Sequence, residues 1–269
     1  MTKKYVVLGA GSIGISTALQ LQQRGLSVSL IDRDLPASAT SYGNAGVVNN
    51  CSFYPVNNPS LWKKIPRLLG NNRPELRYNL KYLLNQPGWI YSFLRSSSTN
   101  RTKYAATSLA SLISAALDEH KALMQRVGNM HRLNESGWLK LYRQTPVSNF
   151  GEIENQLYID NDIQIDVLSR DDVYSLEPHL KQIFTGGYLL KDSASVNNPG
   201  MLLNEYFQHF QNHGGSFLQC KVESIQRESG GYHLTTDTES LHADVLVVSS
   251  GIWSPVSYTH LTLPTTPYV

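Results

Sequence analysis

Two periods of hydrophobic and polar alternation run along this chain, and each change of period marks an element. Lys4 to Leu8 is a short apolar run, Ile13 to Arg24 carries apolar residues at helical spacing until Gly25, and Leu26 to Ile31 is a second apolar run. This order predicts a βαβ opening. Pro, Ser, Thr, Gly and Asn then crowd the stretch from Pro36 to Asn50, which is too long for a simple connection and is expected to be functional. From Ser108 to Val127 the positions Leu109, Leu112, Ile113, Ala116, Leu117, Leu123, Met124 and Val127 recur at three and four residues ahead of Gly128. One amphipathic helix is predicted there.

Further along, "SGWLKLYRQ" and "FTGGYLL" read as strands bounded by glycines. Asn198 before Pro199 is a helix start, with the helix running to about His213 and ending at Gly214 and Gly215. Two strands, "SFLQCKVESIQRE" and "YHLTTDT", are expected to form a hairpin across Gly230 and Gly231. "ADVLVVSSG" has the unbroken apolar character of a fully buried strand in a parallel sheet.

Composition narrows the class. A chain of 269 residues with 41% hydrophobic and 16% charged residues is globular, and a net charge of +2 gives no ground for a nucleic acid partner. No stretch approaches the roughly 18 apolar residues of a membrane span, so a soluble protein is expected. "MTKKYVVLGAG" enters a strand at once, without the apolar segment of a signal peptide, and predicts a cytoplasmic location. Cys51 and Cys220 are the only cysteines, without metal-ligand spacing, and are read as buried or incidental thiols in a reducing compartment. Charge is uneven: from Ser52 to Tyr104 nine basic residues stand against Glu75, and from Gly151 to Glu177 eight acids stand against Arg170. Such opposed blocks are expected to pack in one domain.

The sharpest chemical signal is Gly9-Ala10-Gly11-Ser12-Ile13-Gly14. Gly9 permits the tight turn out of the strand, Gly11 lets backbone approach a pyrophosphate, and Gly14 lets helix and strand lie close. The helix N-terminus then presents free amides and partial positive charge to the diphosphate. Asp32 stands 18 residues after Gly14 at the end of the second strand, where a carboxylate accepts from ribose hydroxyls and disfavours a 2′-phosphate. A dinucleotide is expected, and not NADP.

With "VVLGAGSIG", "LIDRD", "ATSYGNAG", "SGWLKLYR", "LEPHL", "GGYLL" and "ADVLVVSSGIWS" in view, the chain resembles the FAD-dependent amino-acid oxidoreductases of the D-amino acid oxidase and glycine oxidase superfamily. Within it, the "NAG" loop and "KKIPRLLGNN" with "PGWIYSFLRSS" are most similar to bacterial D-amino acid dehydrogenases. The resemblance runs from Lys4 to about Ser254. It implies an α/β fold with a Rossmann-type FAD-binding domain and an inserted α+β substrate domain, incomplete at the C-terminus. Residues 1–50 would be the first FAD-binding segment, 51–195 mainly the substrate or cap domain, and 196–254 the second FAD-binding segment. Carried over by residue, the resemblance makes Gly9, Gly11, Ser12, Ile13 and Gly14 the pyrophosphate cradle, with Asp32 on the adenosine ribose and Arg33 beside it. Thr40, Ser41, Gly43, Asn44, Ala45 and Gly46 would wrap the diphosphate and flavin, Val222 would meet the adenine, and Ser249, Ser250 and Gly251 would return to the cofactor. Relatives more often carry alanines in place of the two serines.

The implied activity is oxidative deamination of D-amino acids by hydride transfer to flavin N5, giving a 2-oxo acid and ammonia, with no residue present assigned a catalytic role. A glycine or sarcosine type oxidase using oxygen is the alternative within the family. An NAD-dependent dehydrogenase and a non-catalytic nucleotide-binding fragment are alternatives of other classes. Electrons would leave to a quinone or other membrane acceptor. Trp62, Ile65, Leu68, Leu69, Trp89, Ile90, Phe93 and Leu94 lie among the cations of the basic tract, a mixture that suits either a cap over the active site or an anionic membrane surface. Tyr54, Tyr91 and Tyr142 are candidates to line a substrate pocket. His120, His131, His179, His209, His213, His233 and His242 lack metal or triad spacing and are read as structural or surface residues.

The ending breaks the pattern. "VSYTHLTLPTT" has no counterpart in the family and resembles the translation of a transposase mosaic end with its sequencing adapter, so about Pro255 to Val269 is expected to be non-native.

Overall fold

The computed structural model describes residues 3–68, 70–72, 77–143 and 152–255. The tail beyond Pro255, and Arg73 and Glu75 of the basic tract, lie outside the described residues. The chain opens with β1 (Lys4–Leu8), α1 (Ser12–Gln23), β2 (Ser27–Asp32) and β3 (Val47–Asn49). Helices α2 (Ser60–Leu68), α3 (Leu80–Leu84), α4 (Pro87–Arg95), α5 (Thr99–Ile113) and α6 (Ala116–Val127) follow. Then come β4 (Leu133–Asn134), β5 (Trp138–Tyr142), α7 (Glu152–Asp160), β6 (Ile165–Leu168), α8 (Arg170–Leu176), β7 (Gly186–Leu190) and β8 (Ser193–Val196). The last group is α9 (Pro199–Asn212), β9 (Ser216–Gln219), β10 (Val222–Glu228), β11 (Gly231–Thr236), β12 (Ser240–Ala243) and β13 (Val245–Val248).

These elements form two compact units. The first comprises the described parts of 1–46, 124–132 and 196–269. Its parallel sheet has the order β13-β1-β2-β9, with Val6 opposite Leu246 and Ser29, and Leu30 opposite Phe217. Helices α1 and α9 pack together, and Gln22 Nε2 donates to the carbonyls of Phe210 and His213 at 3.0 and 2.8 Å. An antiparallel sheet, β10-β11-β12, shares a core with the parallel one: Val6, Leu8 and Ile31 meet Cys220, Ile225, Leu234 and Ala243. Local signals explain the boundaries. Asn198 caps α9 by accepting from the Met201 amide at 3.2 Å, Pro199 takes the first helical position, and Gly214 leaves it at φ +86°.

The second unit comprises the described parts of 47–123 and 133–195. It contains two three-stranded sheets, β3-β8-β4 and β5-β7-β6. Its core gathers Cys51, Phe53, Ala106, Ala110, Leu157, Tyr158 and Leu190. Both charge blocks belong to this unit.

Four expectations need correction. The single helix over Ser108 to Val127 is two helices, α5 and α6, separated at Ser114 and Ala115. α5 buries Thr102, Ala106 and Ala110, while Leu109 and Leu112 face solvent; small residues let α5 approach α7 closely. "SFLQCKVESIQRE" is likewise two strands. The chain turns at Cys220, whose amide donates to the Asp32 carbonyl at 2.9 Å, so β9 joins β2 in parallel while β10 pairs with β11. Gly231 belongs to β11, so of the two glycines only Gly230 lies in the turn. Finally, β13 is only half-buried, because it stands at the edge of its sheet.

Candidate functional site

The turn from β1 into α1 is built by short-range sterics. Gly9 has φ +109°, and a Cβ there would lie 2.5 Å from the Ser249 carbonyl oxygen. A Cβ on Gly14 would run into the carbonyl of Gly9. Only glycine lets strand, helix and the Ser249 backbone meet at this density. α1 therefore starts directly behind the strand, with extended Gly11 at its cap, no capping side-chain hydrogen bond and no acid in its first turn. The amides of a first helical turn lack intrahelical acceptors and carry the positive end of the helix dipole. One of them is engaged: the Ser12 amide donates to Ser41 Oγ at 3.0 Å, and Ser41 Oγ in turn donates to Ser12 Oγ at 3.2 Å.

Asp32 closes the other side. Its Oδ2 accepts from the Ala10 amide at 2.6 Å and its Oδ1 from the Asp34 amide at 3.0 Å. A carboxylate has about four lone-pair positions, so acceptor capacity remains after these two bonds. The Arg33 guanidinium lies 4.6 Å from the Trp253 ring centroid, and its Nε sits 3.1 Å from Asp34 Oδ2.

A cavity of about 460 Å³ opens over this turn. It brings together Gly9, Gly11, Ser12, Ile13, Asp32, Arg33, Thr40, Ser41, Val222, Ser249, Ser250 and Gly251 from the sequence-based assignment. Gly14 lies beneath the turn, as the Gly9 contact requires. Gly43, Asn44, Ala45 and Gly46 do not line the cavity. Asn44 instead shapes its own loop, donating from Nδ2 to the Ser41 carbonyl at 2.6 Å and accepting at Oδ1 from the Gly46 amide at 2.7 Å. Gly46, at φ +69°, pairs with Val196. Leu8, Asp34, Ala39, Cys220, Lys221, Ile252 and Trp253 also line the cavity and were missed. Trp253 sits within "ADVLVVSSGIWS" and Lys221 beside Val222, so adjacency was the available signal.

Ser249 is the unusual member. Its amide donates to the Leu8 carbonyl at 2.8 Å, while its buried Oγ has no hydrogen-bond partner. A buried hydroxyl without a partner costs about 1–3 kcal/mol. The glycine cradle, the uncapped helix start, the Asp32 carboxylate lining the cavity and this hydroxyl together fit a dinucleotide such as FAD.

In the second unit, Tyr158 donates to Glu154 Oε1 at 2.9 Å and Lys140 Nζ donates to the Tyr158 hydroxyl at 3.2 Å. Burial pushes the Tyr142 phenol up to about 12, with Glu154 and Tyr188 adding to the shift, and burial raises Tyr54 in the same way. Tyr142 also meets Tyr188 edge to face at 5.2 Å. Tyr91 is exposed. Among the described residues no group of three or more His, Cys, Asp or Glu is placed to hold a metal ion, and His209 stacks on His213 at 4.0 Å. Both cysteines are buried free thiols.

Comparison with known proteins gives a consistent picture. The family model described as "DAO: FAD dependent oxidoreductase" matches residues 4–268. A D-amino-acid oxidase of Bradyrhizobium diazoefficiens is 25% identical over 257 residues, covering 93% of this chain and 60% of that protein. A D-amino acid dehydrogenase of Helicobacter pylori is 25% identical over 254 residues, with the same two coverages. The chain thus spans about three fifths of the length of these curated relatives. Among solved structures, glycine oxidase from Geobacillus kaustophilus matches with a TM-score of 0.64 at 17% identity, over 97% of this chain and 59% of that one. L-proline dehydrogenase from P. horikoshii matches at 0.65 and 11% identity, over 98% and 57%. These structures share the fold.

Proposed function

This chain belongs to the DAO family of FAD dependent oxidoreductases, and on that premise we propose that its first unit holds FAD at the turn between β1 and α1 and that the whole enzyme oxidatively deaminates D-amino acids. The observation that carries this reading is the uncapped start of α1, cleared by Gly9, Gly11 and Gly14 and flanked by the Asp32 carboxylate, which lines the cavity. The Ile13 amide would donate to the diphosphate beside the Ser12 amide that Ser41 Oγ holds, and Asp32 would accept from the adenosine ribose with Arg33 beside it. Thr40 and Ser41 would hold the diphosphate, Val222 the adenine, and Ser249 to Gly251 the part of the cofactor nearest the returning strand; all of them line the cavity. Gly43 to Gly46 hold the loop that carries Thr40 and Ser41, the role their own hydrogen bonds support.

FAD, when bound, supplies the two-electron acceptor that oxidation of an amine-bearing carbon requires. The chain's residues bind and orient that group; the substrate-facing residues are assigned to none of those present here. The names of the relatives support a D-amino acid as substrate, with hydrolysis of the imino acid giving a 2-oxo acid and ammonia. A dehydrogenase passes the electrons to a quinone or another membrane acceptor, and an oxidase passes them to oxygen. Two buried free thiols suit a cytoplasmic setting.

Two measurements test this. Titration of the purified chain with FAD, followed by flavin fluorescence, is expected to saturate; failure to bind ends the cofactor assignment to these residues. A protein of the relatives' full length is then expressed and mixed with D-alanine without oxygen. Loss of the flavin's visible band is the expected result, and hydrogen peroxide in air would favour the oxidase reading. An unchanged spectrum with every D-amino acid would overturn the substrate class.

A further inference from the structure

We propose that Arg33 and Trp253 form a strap across the mouth of the cofactor cavity, and that this strap parts before FAD enters. The inference rests on the FAD assignment above and adds to it the control of cofactor entry by one side-chain contact. Arg33 directly follows β2, and Trp253 is placed by a single 3₁₀ turn, Gly251–Trp253, shortly after β13. In the sheet order β13-β1-β2-β9 these two strands flank β1 on either side. Strands next but one to each other lie about 9–10 Å apart, yet the Arg33 guanidinium carbon comes within 4.6 Å of the Trp253 ring centroid. The two side chains therefore join the flanks of β1 beyond its C-terminal end, where Gly9 to Gly11 turn into α1. Both residues line the cavity together with that turn.

The contact is able to open. Both side chains are about half exposed, so neither is buried in the core. Arg33 is aimed by Asp34, whose Oδ2 accepts from its Nε at 3.1 Å, and an exposed ion pair of this kind holds weakly. Trp253 is aimed by its own turn: its amide donates to the Ser250 carbonyl at 3.0 Å, and Gly251 supplies the positive φ, +56°, with which the turn begins. A guanidinium over an indole is favourable but modest in strength. A ligand that enters only the open form associates more slowly, in proportion to the time the strap spends closed.

Stopped-flow mixing of the purified chain with FAD, read by flavin fluorescence, tests the proposal. Trp253→Ala removes the ring, and its association rate constant is expected to rise about twofold to thirtyfold, the range that a cation–π contact spans. Trp253→Phe, with a weaker π face, should fall between the parent and Trp253→Ala. Arg33→Gln added to Trp253→Ala should bring no further rise, because the contact is already gone. Circular dichroism equal to the parent's confirms that the variants fold, and Trp253→Phe decides the matter if Trp253→Ala does not. Association unchanged or slowed in the folded Trp253 variants overturns the proposal, as does a further rise in the double variant. Faster dissociation with unchanged association would make the pair a binding contact alone and also overturn it. A parent chain that fails to bind FAD ends the cofactor assignment and the strap with it; a parent that binds, with variants that associate no faster, ends the strap alone.

Discussion

Asp32 Oδ2 accepts from the Ala10 amide at 2.6 Å, tying the acidic end of β2 to the glycine turn that precedes α1. In the proposed reading one carboxylate serves both the turn and the cofactor's ribose. Replacing Asp32 by Ala removes a charge-assisted hydrogen bond worth about 1.5–3 kcal/mol. The expected outcome is a lower melting temperature and FAD affinity reduced roughly tenfold or more, as a loss of about 1.4 kcal/mol implies. Asp32→Asn, which keeps an acceptor but loses the charge, should fall between. Flavin affinity untouched in Asp32→Ala would remove the ribose role.

Gly14→Ala should cost more stability than Gly11→Ala. The Gly14 Cβ strikes the rigid backbone carbonyl of Gly9, whereas the Gly11 Cβ meets only the Ser41 hydroxyl at 3.2 Å. Overpacking against a fixed backbone costs about 1–3 kcal/mol. Denaturant melts of the two variants check the order.

Ser249→Ala separates folding from binding. Removing a buried hydroxyl that has no partner relieves a desolvation cost. The variant is expected to melt at the parent's temperature or above it without flavin, yet to bind FAD less tightly. A drop in melting temperature would show that the hydroxyl serves the fold.

Acid should weaken the first unit in two windows. Hydrogen bonds from Arg132 hold the Glu205 carboxyl below its ordinary range, through contacts to both carboxylate oxygens. Its contribution is complete above the unfolded carboxyl value and is lost as pH falls through the lower folded value. Burial, then His213 and Arg126, depresses the His209 imidazole. That contribution is complete above the unfolded histidine value of about 6.5 and fades as pH falls through the folded one. Melting temperature against pH should therefore decline first near neutrality and again in acid. Glu205→Gln is expected to remove the lower step and His209→Gln the upper one.

Local chemistry determined what the sequence revealed. The positive φ of Gly9 and the contact of Gly14 with the Gly9 carbonyl are steric demands met within six residues, Asn198 and Pro199 cap a helix from adjacent positions, and the apolar runs of β1 and β2 announce their own burial. The fold class, and most of the residues that line the cavity, were legible for that reason. Tertiary structure decided the rest. Whether "SFLQCKVESIQRE" is one strand or two depends on β2 claiming β9 as a neighbour, and whether α5 buries its leucines or its alanines depends on the approach of α7. Lys221 and Trp253 reach the cavity because the sheet order β13-β1-β2-β9 carries distant segments to the end of β1. Periodicity reports a residue's own preference for burial; the identity of the partner is set by strand order, a property of the whole chain.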